Sequence, residues 1–152
     1  MGKSLKDLLL SYKDAGAACA NGGGVFVLTT TPYLIIKALT GFNINEYNLV
    51  GHATAAAGAG TYAYRRVKTE VTEATGDERK GTKWGIVAGL TAGIVLSTSW
   101  EYWENKGHIF EPKANPFLDT MLDHLVMLIT SGGLVPAIEL ELKPYLKRKL
   151  PE

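Results

Sequence analysis

The chain has 152 residues, which is the length of a single domain. Sixteen Lys and Arg residues against fifteen Asp and Glu give a net charge of +1, so the composition offers no basic field for nucleic acid, and no nucleic-acid-binding motif is present. A single cysteine, Cys19, excludes a disulfide framework and a cysteine-rich zinc site. The mean hydropathy of +0.03 is typical of a soluble protein, so a membrane signal has to come from the distribution of the charges.

The basic residues are concentrated in three parts of the chain. Thirteen of the sixteen are Lys3, Lys6, Lys13, Arg65, Arg66, Lys68, Arg79, Lys80, Lys83, Lys143, Lys147, Arg148 and Lys149. Between these clusters lie four apolar stretches, each close to the ~20 residues that cross a bilayer. Four spans place all three clusters on one side, as the positive-inside rule requires. The linkers on the other side, 41–47 and 105–115, contain only two basic residues, Lys106 and Lys113.

This pattern predicts an all-α, polytopic membrane protein with four transmembrane helices and both termini in the cytoplasm. The bilayer would be the cytoplasmic (inner) membrane. A soluble helical bundle is the alternative. A short interfacial helix over about 4–14, with Ser4 as its N-cap, is predicted to precede the spans because Leu5, Leu8, Leu9 and Tyr12 share one helical face. Its alternative is a first helix that packs on a soluble core.

The four predicted spans differ in composition. The first, about 17–40, contains three consecutive glycines and Pro32, which should kink its middle. The second, about 47–64, is rich in Ala and Gly, and is therefore expected to be a central helix that neighbours approach closely. A polar loop over 65–83, with a turn at Gly76 and Asp77, leads to the third, about 84–103, and the fourth is about 117–138.

Outside the spans, Arg65 and Arg66 are predicted to be topology determinants or lipid headgroup contacts. Glu139 and Glu141, next to the basic tail, are predicted to be solvated.

Ionisable residues inside or at the edges of the spans form the candidate functional site. The predicted topology places five of them in the same outer third of the membrane: His52, Glu101, Glu104, Asp119 and Asp123. Glu101 and Glu104 are three residues apart, and Asp119 and Asp123 are four apart, so each pair shares a helix face. The short linker makes the third and fourth spans antiparallel neighbours. Four carboxylates and an imidazole would then converge.

Two kinds of chemistry suit this set. Carboxylate oxygens and an imidazole nitrogen are ligands for a divalent metal ion, so all five residues are candidate metal ligands. Alternatively, carboxylates crowded in a medium of low dielectric constant repel one another and take up protons, as in a general acid or a proton relay. Glu101 and Asp123 lie deeper and are the candidate catalytic residues. Alternatively, Glu104 is exposed to solvent at a helix end, and the Asp119 carboxylate interacts favourably with the helix dipole at the N-terminus of the fourth span. His124, about 100° round the helix from Asp123, could face another helix.

The same residues carry a resemblance to a family. The segment with Gly51 and His52 at the start of a helix is similar to the Gly-His helix of the YjdF-like bacterial inner-membrane proteins. The WEYWE segment (100–104) resembles that family's E-x-x-E helix, and the segment from Asn115 through Asp119 to Asp123 resembles its D-x-x-x-D helix. The wider VanZ-like group has a related acidic pairing. The resemblance covers about 46–138. It departs at Asn48 and Leu49, where the family has Asp and Arg.

The resemblance implies the same five site residues, and the VanZ-like group implies a role in the cell envelope or in glycopeptide resistance. Three hypotheses follow for the function. The first is a membrane protein with a metal-binding site that acts on a lipid or lipid-linked envelope substrate. The second is a proton- or cation-relay transporter subunit, which would have to form a homo-oligomer through glycine-rich faces. The third is an accessory subunit whose acidic residues pair with a membrane partner.

Overall fold

The computed structural model describes residues 5–41, 49–105 and 116–149, and these are helical apart from short turns. The elements are α1 Leu5–Thr40, α2 Leu49–Thr75, α3 Glu78–Asn105 and α4 Pro116–Ile129. α4 continues without a break through the π-helical segment Thr130–Leu134, α5 Val135–Ala137, the π-helical segment Ile138–Leu142 and α6 Lys143–Lys149. Residues 116–149 are therefore one rod, called the C-terminal rod below. The all-α fold class is confirmed.

The helices extend beyond two of the predicted limits. The interfacial helix and the first span are a single helix, α1, because nothing between residues 14 and 17 interrupts the backbone hydrogen bonds. The predicted polar loop 65–83 is helical except around the turn at Gly76 and Asp77, since charged residues with good helix propensity extend α2 and α3. The predicted N-cap Ser4 and most of the linkers 41–47 and 105–115 lie outside the described residues.

The turn between α2 and α3 forms where the sequence predicts it. Gly76 adopts a φ of 68° and donates its N–H to Thr72 at 2.8 Å, which ends α2 in a left-handed cap. Asp77 Oδ1 accepts the N–H groups of Arg79 and Lys80 and so caps the start of α3. Across the turn Lys68 Nζ lies 2.9 Å from Glu78 Oε1, and this hydrogen bond lowers the pKa of the Glu78 carboxyl.

α2 is the central helix, as predicted: it contacts α1, α3, α4 and the rod beyond α4. Its small residues allow this, because Ala56, Ala57 and Gly60 are buried under neighbouring backbones. A Cβ atom on Gly60 would lie 2.9 Å from Ser131 Cβ, and one on Gly93 of α3 would also collide with Ser131. α1, by contrast, packs mainly on α2.

The distribution of polar side chains is the reverse of that in a soluble bundle. Among the described residues nine buried ones are polar or charged and seven are hydrophobic. Large apolar side chains lie on the outside instead, for example Leu28 of α1, Val95 of α3 and Phe117 of α4. Two helical stretches, Tyr12–Thr40 and Thr120–Leu146, are long and apolar enough to cross a membrane, and most of each faces outward.

The close packing on Gly60 gives a direct test of the fold. Gly60→Ala should lower the stability of the folded bundle by about 1 to 3 kcal/mol, because the new methyl group overlaps Ser131. Gly23→Ala is the matched control. A Cβ at position 23 meets no atom within 4 Å, so this change should raise stability by about 0.5 to 1 kcal/mol through helix propensity alone. Thermal unfolding of the purified proteins, followed by circular dichroism, measures both. Equal stability of the two variants would contradict the packing described here.

Candidate functional site

The structure brings His52 of α2 and Asp123 of α4 into contact in the interior of the bundle. His52 Nε2 lies 3.1 Å from Asp123 Oδ2, and each side chain is only 1% exposed. The contact has the length of an ion pair but lacks hydrogen-bond alignment. His52 Nε2 and both Asp123 carboxylate oxygens therefore have no hydrogen-bond partner among the described residues. Such unpaired buried groups are costly, and in native proteins they commonly mark an ion or a water molecule.

The imidazole of His52 is oriented by an aromatic side chain from a third helix. The rings of His52 and Trp100 have centroids 5.3 Å apart at an interplanar angle of 84°, an edge-to-face arrangement. Trp100 belongs to α3, so α3 covers one side of the His52–Asp123 pair, whose two members come from α2 and α4. The three helices together fix where Nε2 points.

Glu101 lies beside this pair and is held by α4. It is 9% exposed, and its Oε2 accepts a hydrogen bond of 2.7 Å from Thr120 Oγ1. Thr120 and Asp123 are three residues apart on one face of α4, so Glu101 lies about one helical turn from the His52–Asp123 contact. The structure thus brings together three of the five predicted site residues.

The side chains of the other two predicted ligands lie outside the described part of the structure. The backbone places Glu104 near the end of α3, three residues after Glu101, and Asp119 in the first turn of α4, four residues before Asp123. Both are on the turns adjacent to the site. His124, in contrast, turns its Nδ1 to the backbone oxygen of Thr120 at 2.8 Å.

Sequence reasoning did not identify Ser97 as part of this region. Ser97 is 1% exposed, and its Oγ has no hydrogen-bond partner among the described residues. Its spacing of four residues from Glu101 places it on the same helix face, which could have identified it. A neutral serine in an apolar helix, however, does not by itself indicate a functional site. We call Ser97, Glu101, Thr120, Asp123 and His52 the His–Asp cluster.

The His52–Asp123 geometry fits two ligands of one metal ion. Two ligand atoms at about 2.1 Å from one ion, at ligand–metal–ligand angles of roughly 90° to 110°, are about 3.0 to 3.4 Å apart. The Nε2–Oδ2 distance of 3.1 Å lies in that range. Within the described side chains no group of three His, Cys, Asp or Glu residues is arranged as a ligand set. Further ligands from ionisable side chains would therefore come from Glu104 or Asp119, or from a shift of Glu101.

A second buried polar cluster, which the sequence did not predict, lies toward the other end of α2. Arg65 Nε donates to Asp14 Oδ1 of α1 at 3.0 Å, and Arg65 Nη1 donates to Glu139 Oε2 of the C-terminal rod at 3.1 Å. Asn21 Nδ2 donates both to Thr61 Oγ1 and to Glu139 Oε1. We call these five residues the Arg65 network.

The Arg65 network corrects two expectations. Glu139 is not solvated: its side chain is only 7% exposed and also contacts Lys143. Arg65 is not merely a topology determinant, because it joins three helices. Both were missed because the partners are far apart in sequence, at separations of 51 and 74 residues. Glu141 is exposed, as predicted.

An apolar layer separates the two clusters. His52 and Arg65 are thirteen residues apart on α2, which is about 20 Å of helix. Ala56 and Ala57 of α2, Met127 of α4 and Val135 of the rod are buried between them. Ser131 also lies in this layer, but its hydroxyl donates to its own helix at Met127 O. Most of the buried side chains between the His–Asp cluster and the Arg65 network are therefore apolar.

Two adjacent arginines provide a test of the Arg65 network. Arg65→Met should lower stability by roughly 2 to 3 kcal/mol, because it leaves the buried carboxylates of Asp14 and Glu139 without their shared cation. Arg66→Met is the control. Among the described residues Arg66 pairs with Glu70 alone, whose side chain is 57% exposed, so its loss should cost at most about 0.5 kcal/mol. Chemical denaturation of both variants measures the difference, and similar midpoints would contradict a buried role for Arg65.

Comparison of the chain with protein-family models, with curated proteins and with solved structures finds no match. The resemblance to the YjdF-like and VanZ-like groups therefore stays a prediction. Three of the five residues that the resemblance implies, His52, Glu101 and Asp123, belong to the His–Asp cluster.

Proposed function

We propose that this chain is a four-span integral membrane protein whose His–Asp cluster binds a divalent metal ion and acts on a lipid or lipid-linked envelope substrate. One observation carries the proposal: His52 Nε2 and both oxygens of Asp123 are buried, adjacent and without hydrogen-bond partners among the described residues. Charged groups cost several kcal/mol when buried in this way unless they are paired or coordinate a metal.

The surface of the bundle supports a position within the membrane. A soluble helical protein buries most of its large apolar side chains, whereas here many of those of α1, α3 and α4 lie outside, and polar side chains are numerous among the buried ones. Lipid tails would cover this exterior, and the buried polar groups would find partners only within the bundle. The two stretches that meet the length and apolarity of a span are mostly exposed, unlike the core helix of a soluble protein.

The aromatic residues of α3 support the span proposed for that helix. Trp84 and Trp103 are 57% and 59% exposed, and nineteen residues separate them. At 1.5 Å per residue this is about 28 Å, close to the ~30 Å thickness of a hydrocarbon core. Trp is enriched at both membrane interfaces, so the two rings would mark them. With the basic clusters inside, both termini would lie in the cytoplasm and Trp103 would lie at the outer face.

The position of the cluster along α3 suggests the class of substrate. Glu101 precedes Trp103 by two residues, so the cluster lies just below the proposed outer headgroup level. A metal ion held there would act as a Lewis acid toward phosphate or ester oxygens. Thr120 fixes the Glu101 carboxylate at 2.7 Å, and the edge of Trp100 fixes the His52 ring. Glu101 and Asp123 are the proposed catalytic residues, with Glu104 and Asp119 as further candidate ligands.

A proton or cation relay is the second candidate. It is favoured by one observation: the described side chains include no set of three metal ligands, so His52 and Asp123 could exchange a proton without an ion. The apolar layer of Ala56, Ala57 and Met127 opposes it, because a transported proton would have to cross this layer to reach the Arg65 network. A role as an accessory subunit would instead place a partner on the exposed apolar surface.

The membrane topology can be tested with single cysteines in a Cys19→Ser background. Ile94→Cys, on an exposed site in the middle of α3, should not react with a hydrophilic maleimide in intact membranes, because lipid would cover it. Thr75→Cys, exposed at the end of α2, is the control and should react from the cytoplasmic side only. Lys106→Cys should react from the opposite side only. Rapid labelling of Ile94→Cys in membranes would refute the proposed span.

Metal binding is tested by elemental analysis of the detergent-purified protein. The wild type should retain Mn, Fe or Zn in stoichiometric amount, and Glu101→Gln/Asp123→Asn should lose it because two anionic groups are neutralised without a change in shape. Glu70→Gln/Glu73→Gln, with two exposed carboxylates on α2, is the matched control and should keep the metal. Absence of metal from the wild type, also after incubation with each ion, would exclude the metal site and leave the relay.

A further inference from the structure

Ser97 lies opposite Asp123 in the packing of α3 against α4. The two helices are antiparallel: Glu101 bonds to Thr120, and eight residues earlier a Cβ on Gly93 would lie 3.2 Å from Met127 O. Ser97 is midway between Gly93 and Glu101 and shares their helix face, because residues four apart are neighbours on a helix. Asp123 lies between Thr120 and Met127 in the same way. The register therefore places Ser97 level with Asp123.

The Ser97 hydroxyl is one of several buried hydroxyls without a hydrogen-bond partner among the described residues, and it is the one on the helix face that packs against Asp123's helix. A buried serine in a helix ordinarily donates to the carbonyl oxygen one turn earlier, as Ser131 does to Met127 O at 2.7 Å. Ser97 is 1% exposed and its Oγ makes no hydrogen bond within the described residues. Three helices thus present buried polar atoms at one level of the bundle, and none of these atoms has a hydrogen-bond partner among the described residues: His52 Nε2 from α2, Ser97 Oγ from α3 and the Asp123 oxygens from α4.

We infer that Ser97 Oγ is a third ligand of the ion bound by His52 and Asp123, and that this neutral oxygen directs the site toward a hard cation such as Mn²⁺. The inference rests on the proposed metal site and adds to it both a ligand and an ion preference. Oxygen ligands suit Mg²⁺ and Mn²⁺, whereas thiolates select softer ions. A hydroxyl carries no charge. As a ligand it therefore avoids the free-energy cost of burying a further carboxylate.

Trp100 provides the readout because its ring lies against that of His52. With Trp84→Phe and Trp103→Phe as background, Trp100 is the remaining tryptophan, and paramagnetic Mn²⁺ bound at His52 should quench its fluorescence. Titration of the detergent-purified full chain with Mn²⁺ then gives a Kd. Ser97→Ala should raise this Kd by about tenfold or more. Loss of a residue that merely supports a metal ligand already has an effect of about this size, and loss of a ligand should have at least the same effect. Ser97→Cys should shift the preference toward Cd²⁺ by a similar factor.

Ser99→Ala is the matched control, since Ser99 is exposed on the other side of α3 and should leave the Kd unchanged. If the wild type binds Mn²⁺ and neither Ser97 variant changes the Kd or the ion preference, the inference is overturned while the metal site stands. In that case Ser97→Ala should only stabilise the fold, because it removes an unpaired buried hydroxyl. If the wild type binds none of Mn²⁺, Mg²⁺, Co²⁺ and Zn²⁺, both the inference and the proposed metal site fail.

Discussion

The close approach of α2 to its neighbours is the constraint on which the rest of the structure depends. Ala and Gly on α2 let the backbones of α1, α3 and the C-terminal rod come near, and Ser131 of the rod fits between Gly60 and Gly93 with no room for a Cβ on either. Short polar side chains then reach across helix boundaries: Asn21 meets Thr61, and His52 meets Asp123. With larger residues on α2, the helices would be farther apart and these contacts would be lost.

The two polar clusters differ in how far their buried polar groups are hydrogen-bonded. This difference distinguishes a cluster that stabilises the fold from one that is a candidate functional site. In the Arg65 network one guanidinium is shared by two carboxylates, and Asn21 fills a remaining position on Glu139. Lys143 also contacts Glu139, so two basic and two acidic groups balance, and the network can hold three helices together without any further component. In the His–Asp cluster, Asp123 and Ser97 have polar atoms that form no hydrogen bond within the described part of the chain. A buried group that the fold leaves unsatisfied has to be stabilised by something else, and the proposed metal ion would do this here.

Much of the architecture could be predicted from the sequence. Small residues identified α2 as the central helix, Gly76 and Asp77 marked the turn, and ionisable residues in apolar stretches pointed to His52, Glu101 and Asp123. The features that the sequence did not predict, the helix limits and the Arg65 network, were missed for the same reason. Local periodicity cannot show where a helix continues past a polar segment, as α2 does beyond Arg65, since charged residues are also good helix formers. Nor can it pair Asp14 with Arg65, because only the packing of whole helices brings residues so distant in sequence together.

The separation of the clusters bears on which chemistry the protein can support. Transport needs a polar path through the bundle, and here a layer with Ala56, Ala57 and Met127 lies between the His–Asp cluster and the Arg65 network. Thr130 and Ser131 are polar, but the Ser131 hydroxyl is committed to its own backbone. A reaction site needs access from one side only, and Glu101 lies two residues from exposed Trp103, which the proposed span places at the outer face. The arrangement therefore favours the proposed reaction site, with access from one leaflet, over the proposed relay between two compartments.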